Sequence, residues 1–246
     1  MSLFSALFDL VYPRRCVACE EDIAAHSSGC ICEDCKGRIL EDDGEVRCPR
    51  CGIGVGQAAL AVGSCTYCRS FNFQFDRGIG VGSYGGTIKE LLINFKFHKQ
   101  LFLAWALSEL LAERITREGI VKEIDYIAYV PQTLLGRISR GFNQSEILAR
   151  KLSAHLKLPL AAGLLERKGF AKSQRHFSGV DRIKNVKGAF KVKNGKFLKD
   201  KNVMLVDDVL TTGATANECS KVLKRAGARK VFVAMIARTD LSGDDA

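Results

Sequence analysis

Two adjacent carboxylates, followed directly by small and hydroxylated residues, form the first candidate site for chemistry. Asp207 and Asp208 end the apolar run 203–206, and the loop after them leads into a helical pattern. This loop contains Thr211, Thr212, Gly213, Ala214 and Thr215. Free backbone N–H groups in such a loop and at a helix N-terminus favour an anion such as phosphate. Carboxylates repel phosphate but accept hydrogen bonds from hydroxyl groups, so the pattern predicts a site for a ribose 5-phosphate.

Eight of the ten cysteines lie in closely spaced pairs, which leaves Cys30 and Cys219 without an assigned role. The first four have the spacing C-x2-C-x12-C-x2-C and the second four C-x2-C-x13-C-x2-C; they are Cys16, Cys19, Cys32 and Cys35, then Cys48, Cys51, Cys65 and Cys68. Four thiolates complete the tetrahedral coordination of zinc without an open position, which predicts two structural zinc ions. Pairing in sequence order gives two tandem zinc ribbons and closes short loops, so we favour it over an interleaved, cross-braced module.

The acidic pair needs a strand that places it at the edge of a sheet. The apolar run 203–206 is typical of a strand buried on both faces, and the carboxyl edge of a parallel sheet is where ligands bind. Similar patterns predict strands at 77–83, 125–130 and 230–237, and helices at 88–97, 101–117, 145–156 and 216–225, the last closed by Gly227. Strands that alternate with helices predict an α/β fold, with a parallel sheet and helices on both faces.

The net charge of +10 is concentrated in the second part of the chain. Residues 1–70 have a net charge of −3, which leaves +13 for residues 71–246. The most basic stretch, residues 166–201, has 12 Lys or Arg against 3 Asp or Glu. We therefore predict a Cys-rich domain at 1–70, and an α/β domain at 71–246 that carries the basic charge.

No segment has the pattern of an export signal or a membrane span. Residues 3–11 are apolar but have no basic residue before them and no small-residue cleavage site after them. Glu109 interrupts the apolar segment 101–111 well short of the ~20 residues that span a bilayer. These features predict a cytoplasmic protein without a transmembrane segment, in which cysteines bind metal more often than they form disulfides.

The order of these motifs resembles the ComF/GntX family, the competence-linked phosphoribosyltransferase-like proteins. The motifs are the cysteine module, the Arg-Gly-Phe-Asn-Gln stretch at 140–144, and the acidic pair with its Thr-Thr-Gly-x-Thr loop. Gln174, Arg182, Asn185 and the Gly-Ala-Phe at 188–190 extend the resemblance over nearly the whole chain. The resemblance implies a type I phosphoribosyltransferase fold, with a double zinc ribbon before it and phosphoribosyl pyrophosphate (PRPP) as the ligand together with Mg2+.

The PRPP signature assigns a part of the ligand to each motif. Asp207 and Asp208 hold the ribose hydroxyls, and the backbone of residues 211–215 holds the 5-phosphate. The pyrophosphate needs cations and lies at the same sheet edge, which assigns it to Val130, Pro131, Gln132, Arg137 and Arg140.

Three functions are open at this point. The protein transfers a phosphoribosyl group to an unidentified nitrogen base, or it senses PRPP without turnover, or, as the resemblance to competence proteins implies, it handles single-stranded DNA together with competence-machinery proteins. The basic segment supplies the nucleic-acid candidates Lys168, Lys172, Arg175 and Lys184, with Phe170, Phe177 and Phe190 as aromatic neighbours. The alternative for this segment is a catalytic flap whose phenylalanines anchor it to the core.

Overall fold

A parallel sheet with helices on both faces forms the centre of the molecule. The computed structural model describes residues 15–23, 30–41, 46–55, 65–132, 141–168 and 186–239. The strands are β1 (Arg77–Ser83), β2 (Tyr126–Tyr129), β3 (Leu165–Arg167), β4 (Phe190–Val192), β5 (Asn202–Val206), β6 (Val209–Leu210) and β7 (Lys230–Arg238). The helices are α1 (Glu33–Glu41), α2 (Thr66–Ser70), α3 (Gly86–Phe97), α4 (Leu103–Arg117), α5 (Gln144–Leu156) and α6 (Ala214–Arg225), with 3-10 turns at Val121–Glu123 and Gly195–Leu198.

The strand order of the main sheet is β2, β5, β7, β1, and every pairing is parallel. β6 follows β5 after a gap and pairs with the end of β7. β3 and β4 form a separate antiparallel pair. The predicted α/β class is therefore confirmed, and the predicted strands and helices are present with ends shifted by a few residues.

The alternation of side chains along the central strands divides the apolar core into two clusters. Met204 and Val206 of β5 belong to the first cluster, whereas Val203 and Leu205 belong to the second. Helices α3, α4 and α5 supply the first cluster with Leu92, Phe95, Leu107, Leu111, Leu148 and Leu152. Helix α6 covers the other face with Ala216, Cys219 and Leu223. The two faces of one sheet thus carry separate cores.

The two cysteine groups belong to different clusters. Cys16 and Cys35 of the first group lie in the cluster with α3, α4 and α5, and all four cysteines of the second group lie in the cluster with α6. The polypeptide before β1 therefore covers both faces of the sheet and contributes to both cores. The domain boundary between residues 70 and 71 stays a prediction.

Among the described helices, none combines the length and the apolar character that a membrane crossing requires. The cytoplasmic location stays a prediction.

Candidate functional site

The acidic pair lies in a gap between two strands that run along the same neighbour. β5 ends at Val206, β6 begins at Val209, and both pair with β7, so Asp207 and Asp208 fill the gap. The amide of Asp207 donates to the carbonyl of Ala234 at 2.9 Å. The predicted position of the acids at the end of a strand is correct, but the sequence analysis did not predict β6. The sheet therefore fixes the backbone on both sides of the pair.

Asp207 is held by a serine from α5. Its Oδ1 atom accepts hydrogen bonds from the Ser145 hydroxyl and from the amide of Asp208, both at 2.9 Å. Burial, together with the negative charge of Asp208, raises the pKa of Asp207 to about 7. Both hydrogen bonds end on Oδ1, and Oδ2 has no partner among the described residues. The contacts of the Asp207 side chain thus leave Oδ2 as an available hydrogen-bond acceptor.

Asp208 is paired with a lysine from the last turn of α3. Its Oδ2 atom lies 3.0 Å from Nζ of Lys96, and the side chains of Lys96 and Asp208 are 14% and 15% exposed. Its Oδ1 atom accepts the amide of Val209 at 2.6 Å. At this low exposure the Coulomb attraction between Lys96 and Asp208 is screened less by water than at the surface.

The phosphate loop, residues 211–215, connects β6 to α6. Gly213 is the N-cap of α6 and has a φ of +71°, a conformation that glycine adopts without strain. A side chain at this position would place its Cβ 2.9 Å from Cε1 of Phe73. The hydroxyl of Thr212 accepts the amide of Ala214 at 3.4 Å. The loop thus leads directly into the positive end of a helix, as predicted for a phosphate site.

The residues predicted for the pyrophosphate follow β2 and contact the start of α5. The carbonyl of Val130 accepts the side-chain amide of Asn143 at 3.1 Å, and Nε2 of Gln132 donates to Oε1 of Gln144 at 3.2 Å. The Oε1 atom of Gln132 is buried without a hydrogen-bond partner among the described residues. Since Ser145 follows directly and contacts Asp207, residues 143–145 join the two predicted halves of the site.

Of six further predicted residues, the structure describes only Lys168. Arg137, Arg140, Lys172, Arg175 and Lys184 lie outside the described residues. Lys168 is exposed at the end of β3, and its amide donates to the carbonyl of Ala189 at 2.7 Å.

The described part of the basic segment is partly neutralised and partly buried. Glu166 forms ion pairs with Lys191 at 3.1 Å and with Lys193 at 2.9 Å. Phe190 is buried beneath the guanidinium of Arg167. Phe190 thus packs in the core, as the catalytic-flap alternative expects. Phe170 and Phe177 lie outside the described residues.

The cysteine sulfurs form two groups in sequence order, as the tandem arrangement predicts. We call them the first zinc ribbon (Cys16, Cys19, Cys32, Cys35) and the second zinc ribbon (Cys48, Cys51, Cys65, Cys68). Within each group the sulfurs lie within 4.8 Å of one another. The sulfur–sulfur distance is 3.8 Å for Cys19–Cys32 and 3.6 Å for Cys51–Cys65. Four sulfurs about 2.3 Å from a tetrahedral zinc ion are about 3.8 Å apart, so the geometry fits one zinc ion in each group.

Backbone amides favour the thiolate of one cysteine in each group, whereas burial and the neighbouring sulfurs raise the pKa of Cys35 to about 12. Burial raises the pKa of Cys16, but amides of Cys32, Ala18 and Cys19 outweigh it and lower the pKa to about 6. The same balance, with amides of Cys51, Cys65 and Arg50, lowers the pKa of Cys48 to about 7. The sites resemble closed structural zinc sites in their donor set.

Both parts of the chain have counterparts among known proteins. Residues 107–243 match the family model described as phosphoribosyl transferase domain, and residues 7–70 match the one described as double zinc ribbon domain. The chain is 30% identical to the DNA utilization protein YhgH of Escherichia coli, over 94% of this chain and 99% of that protein. Competence protein F of Haemophilus influenzae is 29% identical over 91% and 96%, and Competence protein ComFC of Streptococcus pneumoniae is 27% identical over 87% and 90%.

The chain belongs to the ComF group of the phosphoribosyltransferase family. The resemblance predicted from the motifs is thereby confirmed, together with the combination of a double zinc ribbon and a phosphoribosyltransferase domain.

Several side chains of this ComF site were absent from the predicted site residues. Asn143 belongs to the stretch 140–144 that supported the resemblance and Ser145 follows it directly, and their polar character at a helix start was the available signal. Lys96 lies at the end of α3, and its contact with Asp208 crosses between distant segments of the chain. Tyr67 of the second zinc ribbon and Arg238 of β7 contact the phosphate loop, and neither has a local sequence signal for that role.

Proposed function

We propose that this ComF protein binds PRPP together with Mg2+ at the carboxyl edge of its sheet. One observation carries the proposal. The paired carboxylates lie between two strands that pair with β7, and the loop after the second strand begins a helix at Gly213. Carboxylates suit the neutral hydroxyls of ribose, and the loop suits a phosphate dianion. Neighbouring hydroxyls and a phosphate group occur together in the ribose 5-phosphates, which is the class of ligand that we propose.

Each part of PRPP has a candidate binding group. Asp207 and Asp208 accept hydrogen bonds from the ribose hydroxyls, and the backbone of residues 211–215 binds the 5-phosphate. Val130, Pro131 and Gln132, with Arg137 and Arg140, bind the pyrophosphate. The oxygen donors of the acidic pair are of the type that Mg2+ prefers, and the ion neutralises pyrophosphate charge when it is bound. Lys96 lies 3.0 Å from Oδ2 of Asp208 and adds a positive charge to this part of the site.

Two outcomes of PRPP binding are open to test. In a transferase, the bond from the anomeric carbon to the pyrophosphate oxygen breaks, a bond to a nitrogen of the acceptor forms, and that nitrogen loses a proton. The protein positions the ligand and neutralises its charge. In a sensor, PRPP binds and dissociates unchanged.

The change Asp208→Asn tests the site. The amide keeps the shape of the carboxylate but loses its charge and the ion pair with Lys96. We expect the Kd for PRPP with Mg2+ to rise about tenfold or more, because a hydrogen bond to a charged group is lost. Isothermal titration calorimetry on the wild type and the variant measures the change.

The matched control is Asp200→Asn, which removes an exposed acid just before β5, at the opposite edge of the sheet. It should bind PRPP as the wild type does. Equal affinity of the Asp208→Asn variant and the wild type would remove the site assignment. A pyrophosphate release assay with candidate nitrogen bases then separates the transferase from the sensor.

We propose single-stranded DNA handling as a second function. The relatives named as competence and DNA utilization proteins support it, and so does an exposed aromatic surface at the start of α4. We define this surface as Phe102, 55% exposed, and Trp105, 40% exposed. Nζ of Lys151 lies 5.5 Å from the centre of the Trp105 ring. Exposed rings beside cations are suited to stacking with bases while the phosphates are neutralised.

Salt dependence separates the contributions of charge and stacking. Replacing Lys168, Lys172, Arg175 and Lys184 by Gln should flatten the slope of log K against log salt, by roughly 0.7 for each phosphate that is no longer neutralised. Phe102→Ala should weaken binding of a single strand and keep the slope. Fluorescence anisotropy with a labelled oligonucleotide at several salt concentrations measures both.

Asp207→Asn is the reciprocal control, because it should weaken PRPP binding and leave DNA binding unchanged. If the wild type does not bind DNA at physiological salt, or if both sets of variants bind with unchanged affinity and slope, DNA handling by these surfaces is wrong.

A further inference from the structure

Three successive carbonyl groups at the start of the phosphate loop are bound from one side. Nη1 of Arg238 donates to the carbonyl of Leu210 at 2.6 Å and also to the carbonyl of Thr211. The hydroxyl of Tyr67 donates to the carbonyl of Thr212 at 2.6 Å. In a trans peptide the carbonyl of one residue and the amide of the next point in opposite directions. The amides of residues 211, 212 and 213 are therefore turned away from Arg238 and Tyr67.

This arrangement has the features of an anion-binding concavity. Successive backbone amides that point to one side attract anions, and the start of α6 adds its positive potential there. The carbonyl oxygens, which would repel a phosphate, are occupied by donors on the opposite side. Arg238 and Tyr67 thus hold the loop carbonyls on one side and leave the amides on the other side for a ligand.

Arg238 is also an uncompensated buried charge. Its side chain is 0% exposed, and Nε and Nη2 have no hydrogen-bond partner within the described residues. The guanidinium lies 5.4 Å from the centre of the Tyr67 ring, and no carboxylate pairs with it in the described part of the chain. A buried cation without a counter-ion is costly, and a nearby anion offsets that cost. A phosphate dianion on the amide side of the loop would supply that charge.

Tyr67 connects this arrangement to the second zinc ribbon. It lies between the predicted ligand residues Cys65 and Cys68, as the second residue of their two-residue spacer. Phe73 follows the ribbon, and its ring occupies the space beside Gly213 of the loop, where an added Cβ would lie 2.9 Å from Cε1. The amide of Gln74 donates to Oδ1 of Asn217, in the first turn of α6, at 2.6 Å. The second ribbon is therefore in direct contact with the loop and the helix after it.

We propose that Arg238 and Tyr67 are positioning residues for the phosphate of the ligand. They hold the loop carbonyls away from the site, and the charge of Arg238 favours a phosphomonoester dianion over a neutral sugar. The proposal rests on the proposed function for the identity of the ligand. It also implies that the second zinc ribbon, through Tyr67, sets the affinity of the site for phosphate.

The change Tyr67→Phe is the decisive variant, because it removes one hydroxyl and keeps the ring that packs on Arg238. We expect the Kd for ribose 5-phosphate to rise about 3- to 10-fold through the loss of one hydrogen bond that orients the loop. The amide order parameters of residues 211–213 should fall below the ~0.85 of rigid backbone. The Tm should stay close to that of the wild type. Tyr126→Phe, a change in the strand β2 away from the loop, is the matched control and should change neither quantity.

Arg238 is tested by two further changes. Arg238→Lys keeps the positive charge and should retain part of the affinity for ribose 5-phosphate, whereas Arg238→Gln should lose about tenfold more. For both variants the affinity for unphosphorylated ribose serves as the reference, because a dianion-specific role leaves it unchanged.

The positioning role is overturned if Tyr67→Phe leaves both the affinity for ribose 5-phosphate and the order parameters of residues 211–213 unchanged. If the wild type binds neither PRPP nor ribose 5-phosphate, the proposed function is wrong. The order parameters then still decide whether Tyr67 orders the loop.

Discussion

The change Gly213→Val should nearly abolish phosphate binding. Gly213 has a φ of +71°, and a Cβ there would lie 2.9 Å from Cε1 of Phe73. A β-branched side chain must therefore move the loop as well as strain the backbone. We expect a loss of about 2 to 3 kcal/mol of hydrogen bonding to the phosphate, which is about 30- to 150-fold in the Kd for PRPP. Calorimetry with PRPP and Mg2+ measures it.

Gly119→Val is the control for backbone strain. Gly119 has a φ of +69°, a Cβ added there would meet no atom within 4 Å, and the residue follows the C-terminal end of α4. Both variants have the same kind of backbone strain, and the Gly213 variant should lose more free energy of unfolding because of its added clash with Phe73, but the Gly119 variant should bind PRPP normally. Equal loss of PRPP affinity in both variants would show that general strain, and not the loop geometry, determines binding.

Removal of zinc should destabilise the whole phosphoribosyltransferase fold. All four cysteines of the second zinc ribbon are buried in the core cluster that includes β5, β7 and α6. Without the ion, four buried thiols lose their common ligand. We expect the free energy of unfolding to fall by at least about 5 kcal/mol, which corresponds to about 10 to 20 °C in Tm. Scanning calorimetry before and after chelation measures the change.

Metal content distinguishes the two sites. Mass spectrometry should find about two zinc ions per chain in the wild type and about one in Cys51→Ser. Cys30→Ser is the matched control, because Cys30 belongs to neither group, and this variant should keep both ions.

Two of the first ribbon's cysteines, Cys19 and Cys32, are only partly buried, so Cys32→Ser should lower the Tm less than Cys51→Ser does. A fully zinc-free chain with an unchanged Tm would contradict a structural role for the metal.

The class of the fold was predictable because its signals are local. An apolar run such as 203–206 predicts a buried strand from its own composition, and the alternation of strands and helices predicts a parallel sheet. The spacing of the cysteines likewise predicted their grouping. The opposite placement of the two ribbons was not predictable, because it depends on which residues of β5 and β7 face each side of the finished sheet.

The site was predictable only for the residues that lie next to one another in sequence. Asp207, Asp208 and the phosphate loop share a single stretch, and the strand before them places them at the sheet edge. Tyr67 contacts the carbonyl of Thr212 across 145 residues, and no local pattern records such a contact. Arg238 has the sequence appearance of an exposed residue at a strand end, since arginine is seldom fully buried. Its burial beneath the loop follows from the pairing of β6 with β7.

The strand order sets a limit on when the protein can fold during its synthesis. β7 is the last of the described strands to be made, yet it lies in the middle of the sheet, between β1 and β5. A nascent chain that ends before residue 230 lacks β7, so β1 and β5 each have an unpaired edge on the side where β7 belongs. The cysteines emerge from the ribosome early, but the surfaces on which both ribbons rest are complete only after β7 has inserted. Neither core can therefore close before β7 has been made, and truncation upstream of this strand leaves a chain with exposed edges that favour aggregation.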